Sequence, residues 1–361
     1  MKKINLALQG GGALGAYTWG VLDRLLEEKE IQIEGISGTS AGAINAAVLA
    51  TGYEQRGNIG AKEALDKLWR GIADLGKMSM LHQTPLEHSL FGWNLDGTVS
   101  YTLMDTMLKL LSPYEFNPAN VNFFKFLLNE IIDFELLRDS ATIKLFLAAT
   151  NVKTGRARIF NTEEITIDVL LASSCLPRVF QAVEIKGEYY WDGGYMGNPS
   201  LWPLIYGCKS QDILLVQINP LIRHQLPRKA YEIIDRVSEI SFNSSLISEM
   251  RAINFISKLI KKNSIDKNVY KDLYIHMIES SEDMQELNAS SKFHVNWDFF
   301  LFLKEIGRNA ADIWLRDNAQ YIGKTSSLDI EQVFFPSGVK DHPYINESSL
   351  SHELDMPKEE K

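Results

Sequence analysis

Twice within the first 50 residues an apolar run meets a glycine-rich loop and then a helical pattern. This repetition constrains the fold more than any other feature of the chain. The first instance is LALQGGGALGA, residues 6–16, and the second is GISGTSAGAINAA, residues 35–47. Ile4–Gln9 and Ile31–Ile36 read as buried strands, Gly15–Glu28 and Ala41–Ala50 as helices. Strand, helix, strand, helix at this spacing predicts a parallel sheet with helical crossovers. In such a sheet the loops leaving the C-terminal ends of neighbouring strands come together, and ligands bind there.

Further patterns extend the same α/β domain. Ala61–Ala73, Tyr101–Leu111 and Asn122–Leu137 read as helices, with an aperiodic stretch at 76–100. Strands are expected at Thr142–Ala148, Arg156–Phe160, Ala182–Ile185, Glu188–Trp191, Asp212–Pro220 and Leu273–Ile278. Pro227–Lys262 and Trp297–Tyr321 read as long helices. The 361 residues are 45% hydrophobic, ample for a large core. A net charge of -9 argues against general nucleic-acid binding, which needs a basic surface. Cys175 and Cys208 lack CxxC spacing, so neither a zinc site nor a disulfide framework is expected. Asn5, Gln9 and the glycines interrupt the apolar run after Lys2-Lys3, which argues against a signal peptide. No apolar stretch reaches the roughly 18 residues of a membrane span. The expected location is the cytoplasm or a membrane surface. The polar tail is compatible with an export signal, although disorder is its plainer reading.

Gly10, Gly12 and Gly15 satisfy G-x-G-x-x-G, the fingerprint that seats a dinucleotide pyrophosphate. That reading wants an acidic residue at the end of the second strand. Glu34 lies inside the strand instead, and GTSAG follows. Gly38, Ser40 and Gly42 form G-x-S-x-G between strand and helix, where a nucleophile elbow belongs. The plainer reading is Ser40 as a helix cap. With both loops at adjacent strand ends, the N–H groups of Gly10, Gly11 and Gly12 would face an oxygen on the carbon that Ser40 attacks.

A serine nucleophile needs a proton acceptor. None of the seven histidines sits in a strand-end, glycine-flanked loop. His276 falls in a strand, and His342 and His352 in the tail; His82 and His88 remain candidates in the aperiodic stretch. Asp192, in GEYYWDGGYMGNPSL, follows an aromatic strand and precedes Gly193-Gly194. It is either a hairpin-turn residue or a strand-end carboxylate within reach of Ser40, and spacing leaves both open.

These three stretches, in this order, resemble the patatin-like phospholipase family. That family has a glycine-rich loop, then G-x-S-x-G, then a distant D-G-G or D-G-A. SSCLPRVFQAVEIKGEYYWDGG, leading into Asp192, is similar as well, and the likeness spans roughly residues 4–220. The resemblance implies a three-layer α/β/α fold with a mainly parallel central sheet and additional C-terminal helices. A catalytic core would occupy 1–222, with 76–140 as an insertion and possible lid. Residues 223–325 would complete the domain and 326–361 form a tail. It also implies a lipid acyl hydrolase with a Ser40–Asp192 dyad, an acyl-enzyme, oxyanion donors at Gly11 and Gly12, and no metal or cofactor. The family often carries Lys or Arg where this chain has Leu14. Ordinary Ser-His-Asp α/β-hydrolases are the rival hydrolase. Outside hydrolysis, the same fold would serve an acyltransferase or a non-catalytic lipid-binding module.

The implied partner is a lipid or phospholipid, with peripheral membrane contact as an expectation. HSLFGW (88–93) and NFFKFLL (122–128) are candidate walls or lid of an apolar groove, against ordinary core packing. From Arg251 to Lys271 basic residues accompany Met250, Ile253, Ile256, Leu259 and Ile260 at helical spacing. Such a helix lies on anionic lipid or packs on the core.

Overall fold

The computed structural model describes residues 1–77, 79, 81, 83–139, 142–223, 226–228, 230–266, 269–284 and 287–336. The apolar runs form one eight-stranded sheet. Its strands are β1 (Lys2–Leu8), β2 (Ile31–Thr39), β3 (Lys144–Asn151), β4 (Ala157–Asn161), β5 (Val183–Ile185), β6 (Glu188–Asp192), β7 (Asp212–Val216) and β8 (Tyr274–Ile278). Their order is β5-β6-β3-β2-β1-β7-β8, with β4 also pairing β3. The β3-β2-β1-β7-β8 ladder is parallel, while β4, β5 and β6 join antiparallel.

Helices cover both faces because strand residues alternate between two cores. Ile4, Leu6 and Leu8 of β1 join the larger core, as do Leu214 and Val216 of β7. Ala7, Ile213 and Leu215 face the other. The larger core is built by α1 (Gly15–Leu25), α2 (Ala41–Gly76) and a long C-terminal helix. The chain then passes through α3 (Pro85–Phe91), α4 (Val99–Leu110), α5 (Pro113–Phe116), α6 (Phe123–Ile131) and α7 (Phe134–Asp139). The remaining helices are α8 (Ile167–Ser173), α9 (Trp202–Gly207), α10 (Ala230–Lys261), α11 (Ser281–Met284), α12 (Trp297–Asn318) and α13 (Ile330–Phe334). The second core lies under α9, α10 and α13. The result is a three-layer α/β/α arrangement on a mainly parallel sheet.

Several elements differ from the sequence reading. The helices expected at 41–50 and 61–73 are both present, as the two arms of α2 on either side of a kink at Arg56 and at Gly57, where φ is +61°; the differences lie elsewhere. The single helix expected at 122–137 is two. Ile132 turns extended, and Asp133 Oδ1 accepts from the N–H groups of Glu135 and Leu136 to start the second. α3 emerges from the aperiodic stretch on a capping box, Thr84 with Glu87, and Pro85 in its first turn. The basic segment at 251–271 packs on the protein: Met250, Ile253 and Ile260 are buried, Lys258 pairs with Glu331, and Lys271 donates to the Ile205 carbonyl at 2.6 Å. Its apolar side is therefore engaged by the core. Leu14 belongs to the larger core too, so a cation there would be buried.

α1 and α12 cross backbone to backbone. A Cβ on Gly20 would lie 2.0 Å from the Lys304 carbonyl oxygen, and one on Gly307 would lie 2.1 Å from that of Tyr17. Gly307→Val is expected to lower unfolding stability by about 2 kcal/mol or more, read from urea denaturation.

Candidate active site

Ser40 directly follows β2, with φ +54° and ψ -123°, a backbone state a side chain rarely adopts. Small neighbours make this turn possible. A Cβ on Gly38 would lie 2.7 Å from the Gly42 carbonyl oxygen, and one on Gly42 would lie 2.3 Å from that of Leu8. The Ser40 N–H donates to Ser173 Oγ of α8 at 3.0 Å. Ser40 makes no side-chain capping bond at the start of α2, so the plain cap reading does not hold. Its side chain lies on the same cavity wall as the Asp192 carboxylate and favours that group's charged form.

The sheet explains how residues so distant in sequence meet. Ala148 of β3 faces Thr39 on one edge and Ile159 of β4 on the other. Ala149 faces Asp192 of β6 and Arg158 of β4. Since β4 occupies one edge throughout, β2 and β6 share the opposite edge and run toward each other. Thr39 and Asp192 stand opposite successive residues of β3, and the next residue after Thr39 is Ser40. β6 stops there on Gly193, where a Cβ would lie 2.2 Å from the Ala148 carbonyl oxygen. Asp192 is not the hairpin turn, which lies at Lys186-Gly187 between β5 and β6. Its Oδ1 accepts from the Gly194 N–H at 2.7 Å, its own N–H donates to the Cys175 carbonyl, and it is 2% exposed. Burial pushes its carboxyl up to about 6, while the Ser40 hydroxyl, the Gly194 N–H and the charge of Lys292 pull the other way.

The first glycine loop lies against Ser40, since a Cβ on Gly10 would be 2.7 Å from the Ser40 Cβ. The Gly10 N–H donates to Asn198 Oδ1 at 2.6 Å, in the protein interior. Gly10 is thus an anchor rather than a free donor, which corrects the expectation for its amide. Among the described residues the N–H groups of Gly11 and Gly12 have no hydrogen-bond partner. Gly15 brings α1 against α2, its hypothetical Cβ 2.7 Å from that of Ala41. Glu34 is closed to a ribose: its oxygens accept from the Lys209 and Ser210 N–H groups at 2.7 and 2.8 Å. Asn198, Asn219, Ser173 and Lys292, which support these loops, escape a reading of the sequence. They occupy irregular segments or a short helix and carry no motif of their own.

Ser40, Asp192 and Gly10–Gly12 line a cavity of ≈ 1050 Å³. That is at the upper end of the usual range for small-molecule sites. Trp69, Leu108, Phe124, Phe180, Phe242 and Val295 contribute apolar wall. Residues of α4 and α6 line it as well, so the 76–140 segment borders the site. No group of metal-ligating side chains occurs among the described residues, and no described helix is long and apolar enough to cross a membrane.

The sequence model of the patatin-like phospholipase family, Patatin, matches residues 6–205. No curated protein sequence matches the chain. Among solved structures, VipD from Legionella pneumophila shares 17% identity at a TM-score of 0.36, covering 84% of this chain and 67% of that one. The ExoU–SpcU complex of the type III secretion system of Pseudomonas aeruginosa shares 17% identity at a TM-score of 0.33, covering 97% and 59%. The chain thus spans about three fifths of that structure's matched chain.

The described histidines stand apart from the cavity. None among the described residues lines it; His82, His224, His342 and His352 lie outside the described residues. His88 packs edge-on against Trp93, and His294 donates from Nδ1 to the Trp93 carbonyl at 2.8 Å. His276 has triad-like partners, Asp212 Oδ1 at 3.1 Å and Ser327 Oγ at 2.9 Å. Asp212 opens β7, at the end of the sheet opposite Ser40, and none of the three lines the cavity. The cluster joins β8 to the turn after α12, where Asp212 also accepts from the Gly323 N–H. His276→Leu is expected to cost about 2 kcal/mol of stability by removing one hydrogen-bond partner of buried Asp212. The folded fraction should still label at Ser40 with a fluorophosphonate at the wild-type rate.

Proposed function

As the chain belongs to the patatin-like phospholipase family, we propose that it hydrolyses lipid carboxylic esters through a Ser40–Asp192 dyad. The observation that carries this reading is the placement of Ser40 and Asp192, at adjoining strand ends, on the wall of an apolar cavity lined by no described histidine. In the proposed cycle Asp192 takes the Ser40 proton as Oγ attacks the ester carbonyl carbon. The tetrahedral oxyanion is met by the Gly11 and Gly12 N–H groups. The carbon–oxygen bond to the leaving alcohol breaks, and Asp192 returns the proton to that oxygen. Water, deprotonated by the same carboxylate, then attacks the acyl-Ser40 ester, and Ser40 recovers its proton as the fatty acid leaves.

A lipid-surface approach is part of the proposal. α4 sends Met104 and Leu108 into the cavity and exposes Leu103 and Leu110; α10 sends in Phe242 and exposes Val237 and Ile240. This apolar border is suited to a bilayer, from which a lipid would pass into the cavity. Transfer to an alcohol and non-catalytic lipid binding are the competing outcomes.

Incubation with a mixed lipid extract, read by mass spectrometry, should release free fatty acid and lysolipid. Acylated glycerol would indicate transfer, and unchanged lipid a binding module. Ser40→Ala and Asp192→Asn should each lower kcat about 10⁴-fold with the fold intact by circular dichroism. Because the carboxylate must be ionised to act, activity should be level above about pH 6 and fall about tenfold per pH unit below it. Leu103→Asp combined with Ile240→Asp should depress turnover of vesicle lipid at least about tenfold, and leave a soluble p-nitrophenyl ester near the wild-type rate.

A further inference from the structure

The glycine loop, Gly10–Gly15, contains no charged side chain. A cation reaches it from elsewhere. Lys292 lies in the single helical turn Ala289–Phe293, beyond the segment that matches the family. Its Nζ donates to Asn219 Oδ1 at 2.8 Å. Asn219 Nδ2 donates onward to the Gly10 carbonyl at 2.9 Å and to Gln9 Oε1 at 3.3 Å. The Lys292 backbone supports the same loop, because a Cβ on Gly12 would lie 2.6 Å from its carbonyl oxygen. The ammonium is 5.7 Å from the centre of the Phe242 ring, which also covers Gly194 beside Asp192. Two other cavity lysines are engaged locally, Lys109 by Asp105 and Lys125 by Asp168, and Arg178 is exposed.

We propose that Lys292 is a positioning residue that supplies the site's positive field, holding the glycine loop through Asn219 and favouring negative charge on Asp192 and on the oxyanion. The proposal rests on the Ser40–Asp192 reading. The charges facing Lys292 are Glu239, Asp235, Arg223 and Asp192, and burial holds its ammonium below the usual lysine range. Glu239 is paired with Arg223 and Arg236, which reduces its pull on Lys292. Asp192 is faced by Ser40, Gly194 and Lys292. The Cys175 thiol and Tyr195 hydroxyl beside it are pushed up by burial and stay neutral. Among the described residues, the cation favouring the Asp192 carboxylate is Lys292, which lines the same cavity and shares the Phe242 ring with the Gly194 turn.

The test is the pH dependence of two reactions, soluble-ester turnover and fluorophosphonate labelling of Ser40. Lys292→Met should move the acid limb of both upward by about half to one pH unit, because an opposite charge is lost. Lys292→Arg should restore the wild-type limb. Lys292→Gln, which can still reach Asn219, should shift it as the methionine does. A folded neutral variant with reduced rate but an unmoved limb overturns the proposal, since a structural role alone has that signature. Failure of both neutral variants to fold also overturns it and makes the lysine a structural part. Ser40→Ala separates the two levels. If it keeps wild-type activity the dyad itself fails; if it is inactive while Lys292→Met keeps the limb, only the role of Lys292 fails.

Discussion

The Gln9 side chain is the contact on which the candidate site depends. Its Oε1 accepts from the N–H groups of Ile218 and Asn219 at 2.9 Å each, and its Nε2 donates to the Asn198 carbonyl and Asn243 Oδ1. One buried amide thereby ties the end of β1 to the segment after β7, to the loop beyond Asp192 and to α10. In a low-dielectric interior such bonds are strong, and a lost partner leaves a buried polar group unsatisfied. The glycine loop, which has few side chains to hold it, takes its position from this network. Asn198 fixes the Gly10 N–H and Asn219 the Gly10 carbonyl, so the next two N–H groups remain available.

A second constraint is the divided edge of β3. β2 occupies its first half and β6 the second, from opposite directions. That arrangement needs no long side chain to bridge Ser40 and Asp192, because the backbone ladder itself sets their separation. It also explains the glycines after Asp192. The chain must leave the sheet against the Ala148 carbonyl, and a Cβ at Gly193 would collide with it.

The strained Ser40 backbone persists because its surroundings over-determine it. Thr39 Oγ1 donates to the Gly197 carbonyl at 2.7 Å, Ser173 receives the Ser40 N–H, and Gly10, Gly38 and Gly42 leave room only for hydrogen at their α-carbons. Ser37 Oγ donates to the Ser200 carbonyl at 2.5 Å, tying β2 to the same 197–200 segment. The loop carrying the candidate nucleophile and the segment following the candidate base are thus one packed unit.

What could be read from the sequence was local. Apolar runs with alternate burial announced the strands, and glycines at strand ends announced close backbone approach, because both signals depend on a few neighbouring residues. Gly38, Gly42 and Gly193 could be picked out because steric exclusion of a Cβ has no substitute. TPLE at 84–87 also held a readable helix start that a search for apolar periodicity passes over. The tertiary structure alone decided which glycine amides are engaged, that β6 rather than a hairpin turn presents Asp192, and that Lys292 stands beside the loop. Those outcomes depend on hydrogen bonds and charges between segments up to 234 residues apart (Gln9 to Asn243), and an isolated Asn or Lys bears no mark of its partner. The same reason separates the two fates of the apolar stripes. At 250–260 one was absorbed by the second core and along α4 one was left exposed, because only packing decides which stripe finds a partner.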